Sequence, residues 1–298
     1  MDPAIIVFGL AVGILVGLTG MGGGALMTPI LILIFGVSPV TAIGTDLAYG
    51  AVTKTVGGWR HFRNGLVDMR LSGWMAVGSV PSAIAGVVSL QILAGEAGGA
   101  FDKYVLVAVA GALLLTGVAV LVRIMVFPYL SESEVHGFRG TRGDKVRAVV
   151  VGGFVGFVLG VTSAGSGGLI AVALILVFRL VPTRVVGTDV FHAAVLLWAA
   201  TVAHMIAGNI DYLLAATILC GSVPGVVLGS SLTPKVPTNA LRIVLAVVLI
   251  GSAMGLVSKA GAEVPPAVLV AVPGGVLAIL LVSRGRIQRR AVASVGDV

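Results

Sequence analysis

Charge is what this chain has least of. Only 10% of its 298 residues are Asp, Glu, Lys or Arg, against about 25% in a soluble domain. So few charges cannot cover the surface of a water-soluble globule, and a soluble enzyme, a disordered chain and a coiled coil are all excluded. A single cysteine, Cys220, leaves no internal disulfide and no thiolate metal cluster. The four histidines, His61, His136, His192 and His204, have no ligand spacing, and no Ser/His/Asp order stands out. Neither a catalytic set, a metal site nor a cofactor is expected. Trp59, Trp74 and Trp198 suit interface belts or packing better than a cofactor box. Met1-Asp2-Pro3 has no basic n-region, so no cleaved signal peptide is expected.

What fills the chain is apolar. Hydrophobic residues make up 58%, and the mean hydropathy is +1.13. Uncharged stretches such as Leu71–Leu93 and Tyr104–Val122 approach the ~20 residues that span a bilayer. The sequence predicts an all-α, multi-pass membrane protein. Its pI near 10.1 reflects basic residues between apolar segments, which are topology signals rather than a nucleic-acid surface. Glycine, at 43 residues, is about twice its usual share, as expected where membrane helices pack closely or break.

The chain also repeats itself. An offset of 143 (156 − 13) aligns Gly13 with Gly156, Thr19 with Thr162, Gly22 with Gly165 and Gly24 with Gly167. Gly44-Thr45-Asp46 matches Gly187-Thr188-Asp189, and His61, Asp68 and Pro81 match His204, Asp211 and Pro224. Apolar helices coincide by chance at Leu or Val, rarely at this set of Gly, Pro, Asp and His. The organisation expected is a first repeat over 1–126, a charged linker over 127–145, a second repeat over 146–258, and an extra helix with a basic tail over 259–298.

Each repeat holds five apolar segments. The first has Pro3–Gly20, Ala25–Phe35, Thr41–Gly58, Leu71–Leu93 and Tyr104–Met125; the second has Val146–Val161, Gly168–Val181, Val185–Ala207, Tyr212–Leu232 and Ala240–Val257. An odd number predicts that the second copy lies inverted in the membrane. The basic residues agree: Arg60, Arg63 and Arg70 have no basic counterpart in Val202–Leu213, while Arg179 and Arg184 answer an uncharged Phe35–Thr41. Under the positive-inside rule one orientation satisfies every loop, with the N-terminus outside and the C-terminus in the cytoplasm. Inverted repeats are a hallmark of secondary transporters.

Two glycine-rich breaks occupy equivalent places, Gly20–Gly24 and Ser163–Gly168. Each precedes an apolar segment of only ~20 Å of helix, short of the ~30 Å hydrocarbon core. Half-helices starting in mid-membrane would aim N–H groups and positive dipole ends at a shared cavity. The candidate substrate-binding residues are Thr19, Gly22, Gly23, Gly24, Thr162, Ser163, Gly165, Ser166 and Gly167. The plainer alternative is that these glycines serve close helix packing. Gly20, Gly22, Ala25 and Asp46 mimic a dinucleotide fingerprint, but without the strand that fingerprint needs.

Asp46, Asp189, His192 and Lys54 are the candidate coupling or charge residues, since intramembrane ionisable groups are costly and usually functional. The alternative reading makes each Asp a helix cap and has Lys54 snorkel to a basic edge. His61 and His204 read as solvated interface residues.

Through Gly13-x3-Gly17-x2-Gly20-x-Gly-Gly-Gly-x4-Pro29, Gly44-Thr45-Asp46-Leu47 and the second copy around Gly160–Gly168 and Gly187-Thr188-Asp189, the chain resembles the TauE/SafE family of membrane transporters over most of residues 5–257. Many members carry Thr-Ser where this chain has Thr45-Asp46 and Thr188-Asp189. The resemblance implies export of a small sulfur-containing anion, sulfite or an organosulfonate, with the two glycine-rich segments as the binding region. The expected partners are that anion and the lipid bilayer; a homodimer is compatible with the sequence. The rival readings are an anion channel on the same scaffold and a membrane-embedded enzyme or sensor.

Overall fold

The computed structural model describes residues 3–19, 24–130, 138–232 and 238–262, with isolated positions 265, 268, 274 and 275. Gly20–Gly23, the extra helix expected over Val264–Ser283 and the basic tail therefore lie almost wholly outside the described residues. Those that are described form helices and turns, with no strand among them. In order they are α1 (Pro3–Thr19), α2 (Gly24–Leu33), α3 (Pro39–Arg63), α4 (Met69–Ala97), α5 (Phe101–Leu130), α6 (Arg142–Thr162), α7 (Leu169–Leu176), α8 (Pro182–Ile206), α9 (Tyr212–Leu232) and α10 (Thr238–Lys259). Five stretches are long and apolar enough to cross a membrane: Met69–Ile124, which holds α4 and most of α5, then Arg142–Thr162, Pro182–Ile206, Tyr212–Leu232 and Leu241–Lys259. Large apolar side chains such as Phe154, Val227 and Val107 stand exposed along them, as a lipid-facing surface requires.

Local chemistry sets the helix starts. Pro39 and Pro182 open α3 and α8, where a fixed φ and a missing N–H do no harm. Asp68 accepts from the Leu71 N–H at 3.0 Å to cap α4, and Asp211 does the same for Leu214 at 2.9 Å. Thr141 and Asp144 form a reciprocal capping box for α6. That cap, together with an α5 that runs to Leu130, makes the ends of the charged 127–145 segment helical. α2 has ten residues and α7 eight, roughly 15 and 12 Å long, so α7 is shorter still than its apolar run.

Packing crosses between the halves. α1 packs against α9, α4 against α6, and α3 against α8. The contacts recur under the 143-residue offset. A Cβ on Gly13 would collide with the backbone of Ser222, and one on Gly156 with the backbone of Ser79. The Asp68 N–H donates to Thr188 Oγ1 at 2.9 Å, and the Asp211 N–H to Thr45 Oγ1 at 3.1 Å. The equivalent helices α3 and α8 run antiparallel: Gly44 abuts Asn209 near one end and Leu66 abuts Gly187 near the other. Midway, the indole N–H of Trp198 donates to its own counterpart position, Thr55 Oγ1, at 2.8 Å.

Candidate functional site

Asp46 and Asp189 sit about two turns inside helices that begin at Pro39 and Pro182. Neither caps its helix, so the capping alternative is corrected; the caps are Ser38 and Val181. Both aspartates are buried in the protein interior, yet they have very different neighbours.

Asp46 is held by hydroxyls. Thr28 of the short helix α2 donates to Asp46 Oδ2 at 2.6 Å. Ser163, at the break of the other copy, donates to the same oxygen at 2.9 Å. The two hydroxyl oxygens are 2.6 Å from each other, so three oxygens form a closed triangle. Ser163 reaches it because its backbone is left-handed, with φ 59°, while its N–H still closes α6 on Leu159 O at 2.8 Å. Asp46 Oδ1 has no hydrogen-bond partner. One turn on, Tyr49 is fully buried, and its hydroxyl faces that of Ser222 without closing a hydrogen bond.

Asp189 is held by charge and backbone. The Gly167 backbone at the second break lies beside its carboxylate, and Lys54, Arg123 and His61 lie within electrostatic reach. Lys54 comes from α3 and is 6% exposed; Arg123 comes from α5 and is 4% exposed. Lys54 Nζ, Arg123 Nε, Asp189 Oδ1 and Ser166 Oγ are all buried without a hydrogen-bond partner. A snorkelling Lys54 is therefore overturned: its ammonium ends in the interior rather than at an edge. Buried polar atoms are almost always paired, so these four are exceptions in this interior.

The remaining candidates divide. Thr19 and Thr162 donate to Leu15 O and Val158 O at 2.7 and 2.6 Å; they bond one turn back along their own helices. Gly165 and Gly167 have φ of 117° and 93°, a region open to glycine, and they give the second break its course. The Leu169 N–H is taken by Gly165 O at 3.1 Å, so it is not the free donor expected of the α7 start. Gly24 opens α2; Gly22 and Gly23 lie outside the described residues. His192 is fully buried between Ser72 Oγ, 3.3 Å from Nδ1, and Ser79 Oγ, 3.2 Å from Nε2, which ties α8 to α4. His204 is buried too, with Nε2 3.2 Å from Gly160 O; the solvated reading fails for it because its ring closes the end of α6.

Thr28 and Arg123 escaped the sequence reading. Thr28 and Lys54 each belong to one copy only: the counterpart of Thr28 is Ala171, and that of Lys54 is Leu197. Among the described residues no group of His, Cys, Asp and Glu is placed to hold a metal.

Two clefts open at opposite ends of the bundle. One, of about 420 Å³, is lined by Ser38, Thr41, Gln91, Asp102 and Asn209 among others, with no Lys or Arg. The other, of about 510 Å³, is lined by Arg139, Arg147, Arg179 and Asp144 with Phe138 and Phe178.

Comparison with known proteins fits this architecture. The family model described as "Sulfite exporter TauE/SafE" matches residues 5–256. "Probable membrane transporter protein YjnA" of Bacillus subtilis (strain 168) is 36% identical over 86% of this chain and 100% of its own length. "Probable membrane transporter protein YdhB" and "Probable membrane transporter protein YunE" of the same organism are 27% and 25% identical, over 80% and 83% of this chain and 93% of each relative. No solved structure matches significantly.

Proposed function

The chain belongs to the sulfite exporter TauE/SafE family of membrane transporters, and from that premise we propose that it exports a small sulfur-containing anion, sulfite or an organosulfonate, by alternating access. The observation that carries this reading is the buried cluster at the second break, where Lys54 and Arg123 oppose the single carboxylate of Asp189. Two cations against one carboxylate leave a positive excess in a low-dielectric interior, where an unpaired charge is expensive. An oxyanion entering there would take the unpartnered N–H groups of Lys54 and Arg123 and the hydroxyl of Ser166. Asp189 holds that place in the empty protein and yields it when the substrate binds.

Asp46 then serves coupling. Its oxygen triangle has three edges and two hydroxyl protons. A third proton, on the carboxyl, completes the ring and removes an ionised oxygen from a site where Oδ1 has no partner. Proton release from Asp46 would loosen Thr28 of the first copy from Ser163 of the second, freeing one half to move against the other. The antiparallel α3 and α8 support an inverted repeat, with an N-terminus outside and a cytoplasmic C-terminus. Asp68 links three basic regions on one face: it ends the turn after Arg60 and Arg63, accepts from the Phe138 N–H at 3.1 Å, and donates to Thr188 near Arg184. That face is the cytoplasmic one in this reading, and an outward mouth lies at the cleft near Thr41 and Asn209, whose lining has no Lys or Arg.

The test is uptake and counterflow in sealed proteoliposomes with sulfite, thiosulfate, sulfoacetate and chloride. Saturable counterflow by a sulfur oxyanion, lost in Lys54→Met, is expected. Equal flux of chloride without saturation would replace the carrier by a channel.

A further inference from the structure

The three-arginine cleft sits apart from the buried site, at the junction of the linker, α6 and the end of α7. Its geometry is built at some expense. Arg179 has φ 48°, in the left-handed region, which L side chains other than Asn and Asp avoid. The helix before it ends in crossed hydrogen bonds, Arg179 N–H to Ile175 O at 3.1 Å and Leu180 N–H to Leu174 O at 3.2 Å. This helix ending favours glycine at the left-handed residue. The first copy obeys: the equivalent residue is Gly36, with φ 67°. Only the second copy accepts the strain, and there the side chain joins Arg139 and Arg147. Backbone strain of this kind clusters at functional positions.

The cleft has one carboxylate, Asp144, which lies 3.9 Å from Arg147 and is already engaged in the α6 cap. Arg139, Arg147 and Arg179 are exposed, so the excess positive charge faces outward. Beside it Leu176 and Val177, at the end of an apolar helix, are exposed as well. Guanidinium groups match phosphate oxygens in planar, bidentate geometry, and an apolar edge next to them suits acyl chains. We propose that this cleft binds the phosphodiester headgroup of an anionic phospholipid, with Arg139, Arg147 and Arg179 on the phosphate and the acyl chains against Leu176 and Val177. The lipid would brace the linker against α7 and so the second break that α7 follows. The inference holds whatever the chain carries, because binding is read without transport.

The experiment is thermal unfolding of the full chain in nanodiscs of phosphatidylcholine alone and with phosphatidylglycerol. Phosphatidylglycerol should raise the Tm by roughly 5 °C or more, and the triple variant R139Q/R147Q/R179Q should lose the rise. Arg179→Gly should raise the Tm in phosphatidylcholine, by relieving the backbone, while shrinking the gain from phosphatidylglycerol. A control, R60Q/R63Q, alters basic residues outside the cleft and should keep the gain. The proposal is overturned if the triple variant keeps the full rise, or if R60Q/R63Q abolishes it equally, which would be general surface attraction. It is overturned in favour of a soluble oxyanion if glycerol phosphate in phosphatidylcholine discs reproduces the rise.

Discussion

Asp46 and Asp189 occupy the same position in two copies of one sequence pattern, yet one is wrapped in hydroxyls and the other in cations. The difference comes from a few unmatched positions: Thr28 against Ala171, Lys54 against Leu197, and an Arg123 contributed by α5. The two carboxylates are equivalent in sequence and unlike in surroundings, and in the function proposed above the first suits a proton and the second an anion.

The largest effects should separate the two sites. Lys54→Met or Arg123→Gln removes one of the two buried positive charges that would meet the anion, and should weaken substrate binding on the order of a hundredfold or more, read as the half-saturation of counterflow. Lys54→Met combined with Arg123→Gln strands the buried carboxylate, a change of roughly 3–5 kcal/mol, and adding Asp189→Asn to that pair should restore stability; equal or worse stability would break the pairing. Asp46→Asn should behave differently. It preserves the shape and abolishes uptake driven by an imposed pH gradient, while counterflow survives. Loss of both modes would make Asp46 part of the anion site and erase the distinction.

Smaller effects sharpen the picture. Thr28→Val removes one buried hydroxyl and should cost about 1 kcal/mol of stability, together with a shift in the pH dependence of transport that Ser163→Ala reproduces. Trp198→Phe deletes only the bond to Thr55 at the α3–α8 crossing. For a chain of this size it should lower the Tm by about 2–4 °C at most, with pH dependence unaltered.

Composition and the repeat made the fold readable. Apolar segment lengths anticipated α1 and α9 to within a residue, because a membrane helix is bounded by charge and turn residues at both ends. The ends of α3 were not anticipated: Trp59 to Arg63 continue the helix as a polar, amphipathic turn that hydropathy cannot distinguish from a loop. The aspartates were readable because they recur. Thr28 and Arg123 were not, and the reason is instructive: a search for matches between copies discards the positions where they differ. Thr19 and Thr162, a matched pair of hydroxyls, each donate to a carbonyl one turn back in their own helix.

The crossed pairing of α1 with α9 and of α4 with α6 governs how the chain must be made. Gly13 meets Ser222 across a backbone contact too tight for any side chain, so α1 waits for α9, made much later in synthesis, before it finds its seat. Until then its glycine face is exposed to lipid. Neither half can be a finished object during synthesis, and a gene split at the linker should yield function only when both pieces are expressed together.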